Sequence, residues 1–104
     1  MVNDMQTQDR TLITVVMEAS LEGPVTADLE RFGARGWTVV DARGKGTRGE
    51  RAADWSSIGN VRLEVVCARD LAERIGEHLR AEYFPQNALV MYFSDVRVFR
   101  GEKF

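Results

Sequence analysis

The chain has 104 residues, a formal net charge of −2 and a hydrophobic fraction of 44%. This length predicts a single domain over residues 1–104, and the composition is typical of a folded globular protein. One cysteine and one histidine exclude both a disulfide framework and a His/Cys zinc site within a single chain. The acidic balance disfavours a nucleic-acid-binding function.

Residues 1–10 are polar and are expected to be flexible. They hold no apolar core of the kind that a secretory signal needs. No apolar run in the chain approaches the roughly 20 residues of a membrane-spanning helix. We therefore expect a cytoplasmic protein without direct membrane insertion.

Residues 11–17 (TLITVVM) predict the first strand, because they form an apolar run rich in β-branched side chains. Both faces of this strand are apolar, so it is expected to be central and covered on both sides. One face carries Ile13, Val15 and Met17, and the other carries Leu12 and Val16.

A helix is predicted next. Gly23 and Pro24 open it, with the proline at the first helical position, where its missing N–H costs nothing. Gly36 is expected to end the helix in the left-handed conformation. The apolar stripe of this helix, spaced by three and four residues, consists of Leu21, Val25, Leu29 and Phe32.

Residues 37–42 predict the second strand and residues 61–67 the third, and the segment 43–59 between them lacks any periodicity. Hairpin loops usually have about two to five residues, so a connection of this length is typically functional or disordered. The 43–59 loop carries four basic and two acidic residues, a formal charge of +2, and several glycines. Glycine N–H groups and basic side chains favour anion binding. The alternative is a mobile basic hairpin tip.

The third strand is expected to turn one apolar face inward, made of Val61, Leu63, Val65 and Cys67. Asp70 and Glu73 fit a capping box at the start of a second helix, and Pro85 is expected to end that helix. The buried stripe of the second helix is predicted to consist of Leu71, Ala72, Ile75 and Leu79.

Residues 88–93 predict a fourth strand, Ser94 and Asp95 a turn, and residues 96–100 a short fifth strand. The order of the elements predicts an α+β fold, the ferredoxin-like βαββαβ plait with an extra short C-terminal strand. Its sheet would be antiparallel and would carry both helices on one face.

The opposite face of that sheet is expected to be apolar and uncovered. An apolar face of this kind favours a homo-oligomer; the alternative is that the C-terminal segment covers it. A second basic cluster lies in that segment and would gain a role only if oligomerisation brought it beside the 43–59 loop; otherwise it protects an edge strand. The apolar face is predicted from Leu12 and Val16 with Ala88, Val90 and Tyr92 or their alternates, and the basic cluster is Arg97, Arg100 and Lys103.

Four short segments stand out together: residues 36–40 (GWTVV), 44–46 (GKG), 63–66 (LEVV) and 96–98 (VRV). With their order and spacing, they resemble PII signalling proteins over roughly residues 11–104. The closing residues 100–104 (RGEKF) and the short loop look more like the PII-like branch associated with carboxysomes and bicarbonate uptake. The resemblance implies a homotrimer that binds adenine nucleotides in clefts between subunits, without a prosthetic group or a metal.

The same resemblance implies which residues bind the nucleotide. Those expected beside the adenine and ribose are Gly36, Trp37, Thr38, Glu64, Val65 and Val66. Those expected beside the phosphates are Gly44, Gly46 and Arg97, and the site is completed by Lys45, Thr47, Arg48, Arg100 and Lys103.

The sequence departs from the family pattern in two places. Residues 83–87 (YFPQN) lack the glycines and the phosphate-binding lysine found there in the family, so ADP or AMP is expected in preference to ATP. The 43–59 loop lacks the glutamine that classical members use for 2-oxoglutarate and the tyrosine that they uridylylate, so neither property is expected. Arg48 stands near the position of that glutamine, and we expect bicarbonate to bind there, beside the phosphates, through Arg48 or Lys45.

No catalytic constellation is evident, so no enzyme activity is expected. No local acid is expected to orient the His78 ring, and Cys67 falls on a buried strand face. The interpretation is a ligand-sensing regulator whose 43–59 loop controls a partner, which the resemblance suggests is an inorganic-carbon transporter or a carboxysome-related protein. The alternatives are a constitutive trimeric scaffold and a small ferredoxin-like phosphatase.

Overall fold

The computed structural model describes residues 6–45 and 59–104, which form a four-stranded antiparallel sheet with two helices. The strands are β1 (Gln8–Glu18), β2 (Thr38–Ala42), β3 (Asn60–Cys67) and β4 (Val90–Val98). The sheet order is β2-β3-β1-β4. Helix α1 (Glu22–Phe32) connects β1 to β2, and helix α2 (Arg69–Tyr83) connects β3 to β4. Short 3-10 helices span Ala19–Leu21 and Gly101–Lys103. The predicted α+β ferredoxin-like fold is confirmed.

The core lies between one face of the sheet and both helices. Paired residues of antiparallel strands point to the same face, and β1 and β3 pair Ile13 with Val65 and Val15 with Leu63. Fully burying each such side chain is worth about 1.5–3 kcal/mol. The helices contribute residues from the predicted stripes, which are Val25, Leu29, Ala72, Ile75 and Leu79, all at most 1% exposed.

Helix α1 differs from its prediction at both ends. It begins at Glu22, so Pro24 is its third residue, still in the first turn, where no intrahelical partner is lost. It ends at Gly33, which has a φ of +88°, while the N–H of Ala34 donates to the carbonyl of Leu29. The left-handed stop is therefore Gly33 and not Gly36, because the helix closes as soon as its apolar stripe ends at Phe32.

The predicted capping box of α2 is wrong. The residue that precedes the helix is Ala68, which has no side chain able to cap it. Asp70 lies inside the first turn, where its Oδ1 accepts a hydrogen bond of 3.0 Å from the N–H of Leu71. Glu73 instead lies 3.5 Å from the Nε of Arg69 in an exposed ion pair. The helix ends at Tyr83, as the position of Pro85 predicts.

Residues 90–98 form one continuous strand, so the predicted turn and separate fifth strand are wrong. Ser94 and Asp95 pair with Leu12 and Thr11 in the middle of a ladder that extends to Gln8. Pairing along the whole of β1 outweighs the local turn preference of these two polar residues. For the same reason residues 8–10 belong to β1, while residues 1–5 of the expected flexible segment lie outside the described residues.

Neither helix of the described ranges is long and apolar enough to cross a bilayer.

Candidate functional site

The sheet face opposite the helices, called the open face below, carries two rows of aligned side chains. One row runs Thr38–Glu64–Thr14–Tyr92 across the four strands, and the next runs Val40–Arg62–Val16–Val90. Val40, Val90 and Tyr92 are 40–52% exposed, which is high for large apolar side chains on a sheet. The uncovered apolar face predicted from the sequence is therefore present.

The C-terminal segment covers only one end of this face. The N–H of Gly101 donates to Oε1 of Gln8 at 2.9 Å, and Nη2 of Arg10 donates to the Gly101 carbonyl at 2.9 Å. Nη1 of Arg35 donates to the carbonyl of Glu102. These contacts hold the segment beside the start of β1 and the α1–β2 connection, so the half-exposed residues of β4 stay uncovered.

Glu64 lies near the middle of the open face beside a basic residue that sequence reasoning left out of the site. Nε of Arg62 lies 3.5 Å from Oε2 of Glu64, and both side chains are partly exposed. An exposed pair of this kind is worth at most about 1 kcal/mol, so both groups are available to a ligand. The alternation of VRLEVVC already places Arg62 on the same face as Glu64, and that signal identifies it.

The first three residues of the predicted anion loop, including Arg43, line a cleft at the end of β2. Gly44 and Lys45 line this cleft of about 160 Å³ together with Val16, Asn60 and Val90. Lys45 is exposed there, at the end of β2. The other three predicted loop residues, Gly46, Thr47 and Arg48, lie outside the described residues.

The remaining residues predicted beside the adenine fall into two groups. Thr38 and Val66 lie on the open face, and Gly36 is exposed just before β2. Trp37 instead packs against the core, and Val65 is fully buried within it. The side chain of Val65 therefore cannot reach a ligand on the open face.

The predicted phosphate-binding arginine of the last strand lies on the other side of the sheet. Arg97 pairs with Asp9, which shares a face with the core residue Ile13. Glu64 and Arg97 of one chain thus point to opposite faces and cannot hold the same ligand. Arg100 and Lys103 lie in the segment after β4. This segment is held near the start of β2 by the hydrogen bond from Arg35 to the carbonyl of Glu102.

A buried carboxylate joins the two helices, and sequence reasoning missed it. Asp28 of α1 is 6% exposed and accepts hydrogen bonds from Arg31 and from the hydroxyl of Tyr83. Nε2 of His78 lies 3.0 Å from Oδ2 of Asp28. The expectation that His78 has no acidic partner is therefore wrong, because the acid comes from the facing helix, 50 residues earlier.

Hydrogen bonding sets the charge of this cluster. Burial by itself raises the pKa of Asp28, but the hydrogen bonds from Tyr83, His78 and Arg31 outweigh it and hold that pKa below its ordinary value. Burial and the bond to Asp28 raise the pKa of Tyr83 to about 12. Asp28 is thus an ionised, fully partnered link between the helices. In the described part of the chain, no group of three or more His, Cys, Asp or Glu side chains is arranged to hold a metal ion.

The family model of the nitrogen regulatory protein P-II matches residues 10–103. Among solved structures, a candidate PII-like signalling protein from Thermus thermophilus is 41% identical, with a TM-score of 0.80; the match covers 94% of this chain and 97% of that chain.

CPII from Thiomonas intermedia K12, solved bound to ADP and bicarbonate, is 21% identical, with a TM-score of 0.83 and coverage of 95% and 97%. The same protein bound to ADP, AMP and acetate matches at 18% identity, with a TM-score of 0.81 and the same coverage. At these identities the CPII structures support the fold alone. The family model covers nearly the whole chain, and the chain belongs to the nitrogen regulatory protein P-II family.

Proposed function

We propose that this protein is a PII-like signal-transduction protein that binds an adenine nucleotide, ADP or AMP in preference to ATP, between the subunits of a homotrimer. One observation carries the proposal: Glu64 and Arg97, both expected at the nucleotide, lie on opposite faces of the sheet in one chain. They can meet at a single ligand only when they come from two copies. The protein would act in the cytoplasm.

The open face supplies the reason for the copies to associate. Val40, Val90 and Tyr92 leave a large part of their surface exposed there, and burying apolar area is worth about 25 cal/mol per Å². A homotrimer that packs its open faces together removes this area from water. It also brings the end of β4 in one copy towards the start of β2 in the next.

The nucleotide's base and ribose would lie against Thr38, Glu64 and Val66 of one subunit. The Glu64 carboxylate accepts hydrogen bonds from ribose hydroxyls or an adenine amino group, and Thr38 both donates and accepts. Gly36 allows close approach, while the contributions of Trp37 and Val65 would come from their backbone, since both side chains pack inward.

The phosphates would lie towards the 43–59 loop. Gly44 and Lys45 line the cleft at the end of β2, and Gly46, Thr47 and Arg48 continue the same segment. Arg97 of the neighbouring subunit, with Arg100 and Lys103, would supply charge-assisted hydrogen bonds to the phosphates.

Bicarbonate would bind beside the phosphates, through Lys45 or Arg48. CPII from Thiomonas intermedia K12, which shares this fold, was solved with ADP and bicarbonate together. Two ligands that order one glycine-rich loop strengthen each other by the same factor. The loop would then report both ligands to a partner, such as an inorganic-carbon transporter or a carboxysome-related protein, and no reaction would be catalysed.

Calorimetric titration with ADP, AMP and ATP, each with and without bicarbonate, tests this proposal. We expect ADP or AMP to bind, bicarbonate to raise that affinity, and Glu64→Gln to weaken ADP at least tenfold. Glu73→Gln is the matched control, because Glu73 is an exposed glutamate on α2. The proposal would be overturned if the protein sediments as a monomer, or if the trimer binds none of the three nucleotides.

Limited trypsin digestion separates a sensor from a constitutive scaffold. The 43–59 loop contains four sites at arginine or lysine. In a sensor, ADP with bicarbonate changes the rate of cleavage within the loop. In a scaffold, the rate is the same with and without ligands.

A further inference from the structure

A second cleft, of about 470 Å³, opens on the helix side of the sheet. It lies between the start of α2 and the paired ends of β1 and β4. A neighbouring cleft shares part of its lining and extends under α2 as far as Phe93. The cleft is lined by Asp9, Arg10 and Thr11 from β1, by Asp95, Val96 and Arg97 from β4, and by Arg69 from α2. The Arg10 guanidinium is already used, because it donates to the carbonyls of Asp9 and Gly101.

The cleft exists because two helices cover only part of a four-stranded sheet. Helix α2 packs on β1 and β3, which leaves the outer end of β4 uncovered on this side. Thr11, only 5% exposed, lines the cleft. The volume falls within the range of about 300–1,000 Å³ that is typical of small-molecule sites.

The charges around this cleft are opposite in sign and do not neutralise one another directly. Asp9 and Arg97 are cross-strand partners, a position at which opposite charges usually pair. Among residues 6–45 and 59–104, however, no ion pair joins Asp9 to Arg97 or Asp95 to Arg69. In these ranges Asp9, Asp95 and Arg97 thus form no ion pair, and Arg69 makes only an exposed contact of 3.5 Å with Glu73.

We propose that this cleft binds a small zwitterion that carries an ammonium and a carboxylate on one short skeleton, as an α-amino acid does. The ligand's carboxylate would take the forked donors of Arg69 or Arg97, and its ammonium group would donate to Asp95 or Asp9. A ligand with a single charge satisfies one half of the lining and meets repulsion from the other. A zwitterion presents one group of each sign to a lining that holds both signs.

This site is separate from the one proposed for the nucleotide. Thr38 and Glu64 lie on the open face, and Lys45 lies at the opposite end of the strands. Arg97 is the one side chain shared by the two proposals, so it is left unchanged in the test. Arg69 and Asp95 belong to the cleft alone.

Amide chemical shifts of the ¹⁵N-labelled full chain provide the test. Each common L-amino acid is added singly at millimolar concentration, and a mixture of acetate and methylammonium supplies the two charges unlinked. We expect at least one amino acid to shift the amides of Thr11 and Asp95 to saturation, while the mixture does not. Arg69→Ala and Asp95→Asn should each weaken that amino acid about tenfold or more.

Arg74→Ala is the matched control, because Arg74 is an exposed arginine on the same helix outside the cleft. It should leave the affinity unchanged, and a native spectrum of each variant shows that it has folded. The proposal is overturned if no amino acid shifts these amides, if the unlinked ions shift them equally, or if Arg69→Ala binds as well as Arg74→Ala. Arg69→Ala should bind ADP as tightly as the wild type, because the proposed nucleotide site does not include Arg69. Titration of this variant with ADP therefore tests the nucleotide proposal separately from the amino-acid proposal.

Discussion

The Tyr83 hydroxyl donates a hydrogen bond of 2.6 Å to Oδ2 of Asp28 and so joins the end of α2 to the middle of α1. His78 approaches the same oxygen, and Arg31 pairs with the other one at 2.5 Å. Three side chains thus surround one buried carboxylate. Among the described residues, two of these contacts, from His78 and Tyr83, join α2 to α1. A buried charge is tolerated when its hydrogen-bonding capacity is filled in this way.

Asp28→Asn should destabilise the protein by about 2–3 kcal/mol. Hydrogen bonds to a charged carboxylate are replaced by weaker ones, and the new amide NH2 group of residue 28 faces one of the three surrounding donors. Urea unfolding of the variant and the wild type measures this difference. Asp41→Asn removes an exposed carboxylate from β2 and should stay within about 0.5 kcal/mol of the wild type. Equal stability of all three proteins would contradict the role assigned to Asp28.

The contribution of Asp28 should also depend on pH. Because the pKa of Asp28 is lower in the folded protein than in the unfolded chain, its stabilising effect is fully present above the unfolded value of about 3.9 and is lost as the pH falls through the folded value. The difference in stability between wild type and Asp28→Asn should therefore shrink as the pH is lowered from 5. A constant difference down to pH 2 would refute this assignment.

Tyr83 should act in the opposite direction at alkaline pH. Its pKa is raised from about 10 to about 12 in the folded protein, so its contribution is complete below pH 10 and is lost as the pH rises to 12. Tyr83→Phe should flatten the fall in stability across this window, as read from urea midpoints at successive pH values. Tyr92→Phe, which removes a half-exposed phenol, is the control and should keep the wild-type slope.

Gly76 and Phe93 should be energetically coupled. A Cβ on Gly76 would lie 2.4 Å from the tip of the Phe93 ring, so the ring covers the helix only because residue 76 lacks a side chain. Gly76→Ala alone should gain little or lose stability, since the helix-propensity gain of about 1 kcal/mol is offset by displacement of the ring. In a Phe93→Ala background the same change should stabilise by about 1 kcal/mol. A double-mutant cycle with no coupling would show that the ring does not rest on Gly76.

The two glycines after α1 should respond differently to alanine. Gly33 has a φ of +88°, where a β-carbon costs about 1–2 kcal/mol, although open space surrounds it. Gly36 has neither a positive φ nor a close neighbour, so Gly36→Ala should be neutral or slightly stabilising. Thermal unfolding of the two variants compares them directly, and equal melting temperatures would mean that Gly33 does not cap the helix.

Local patterns predicted the elements well where a buried stripe or an alternation was long. The inward residues of β1 and β3 are buried as their alternation predicts. Of the predicted helical stripes, five residues are buried, and Leu21, Phe32 and Leu71 are partly buried against the core. Two errors fall at helix ends, at Gly33 and Ala68, and a third lies within β4, at Ser94. At these positions a local conformational preference competes with pairing or packing that involves distant residues.

The sequence by itself determined the alternation and helical spacing that make one face of each element apolar, and with them the α+β order of the chain. Only the tertiary structure decided that Glu64 and Arg97 point to opposite sides of the sheet, that Asp28 is the partner of His78, and that Asp9 and Arg97 border one cleft. The reason is physical. Periodicity within a segment reflects burial of that segment, whereas the meeting of charges from distant segments depends on strand register and helix packing, which no single segment encodes.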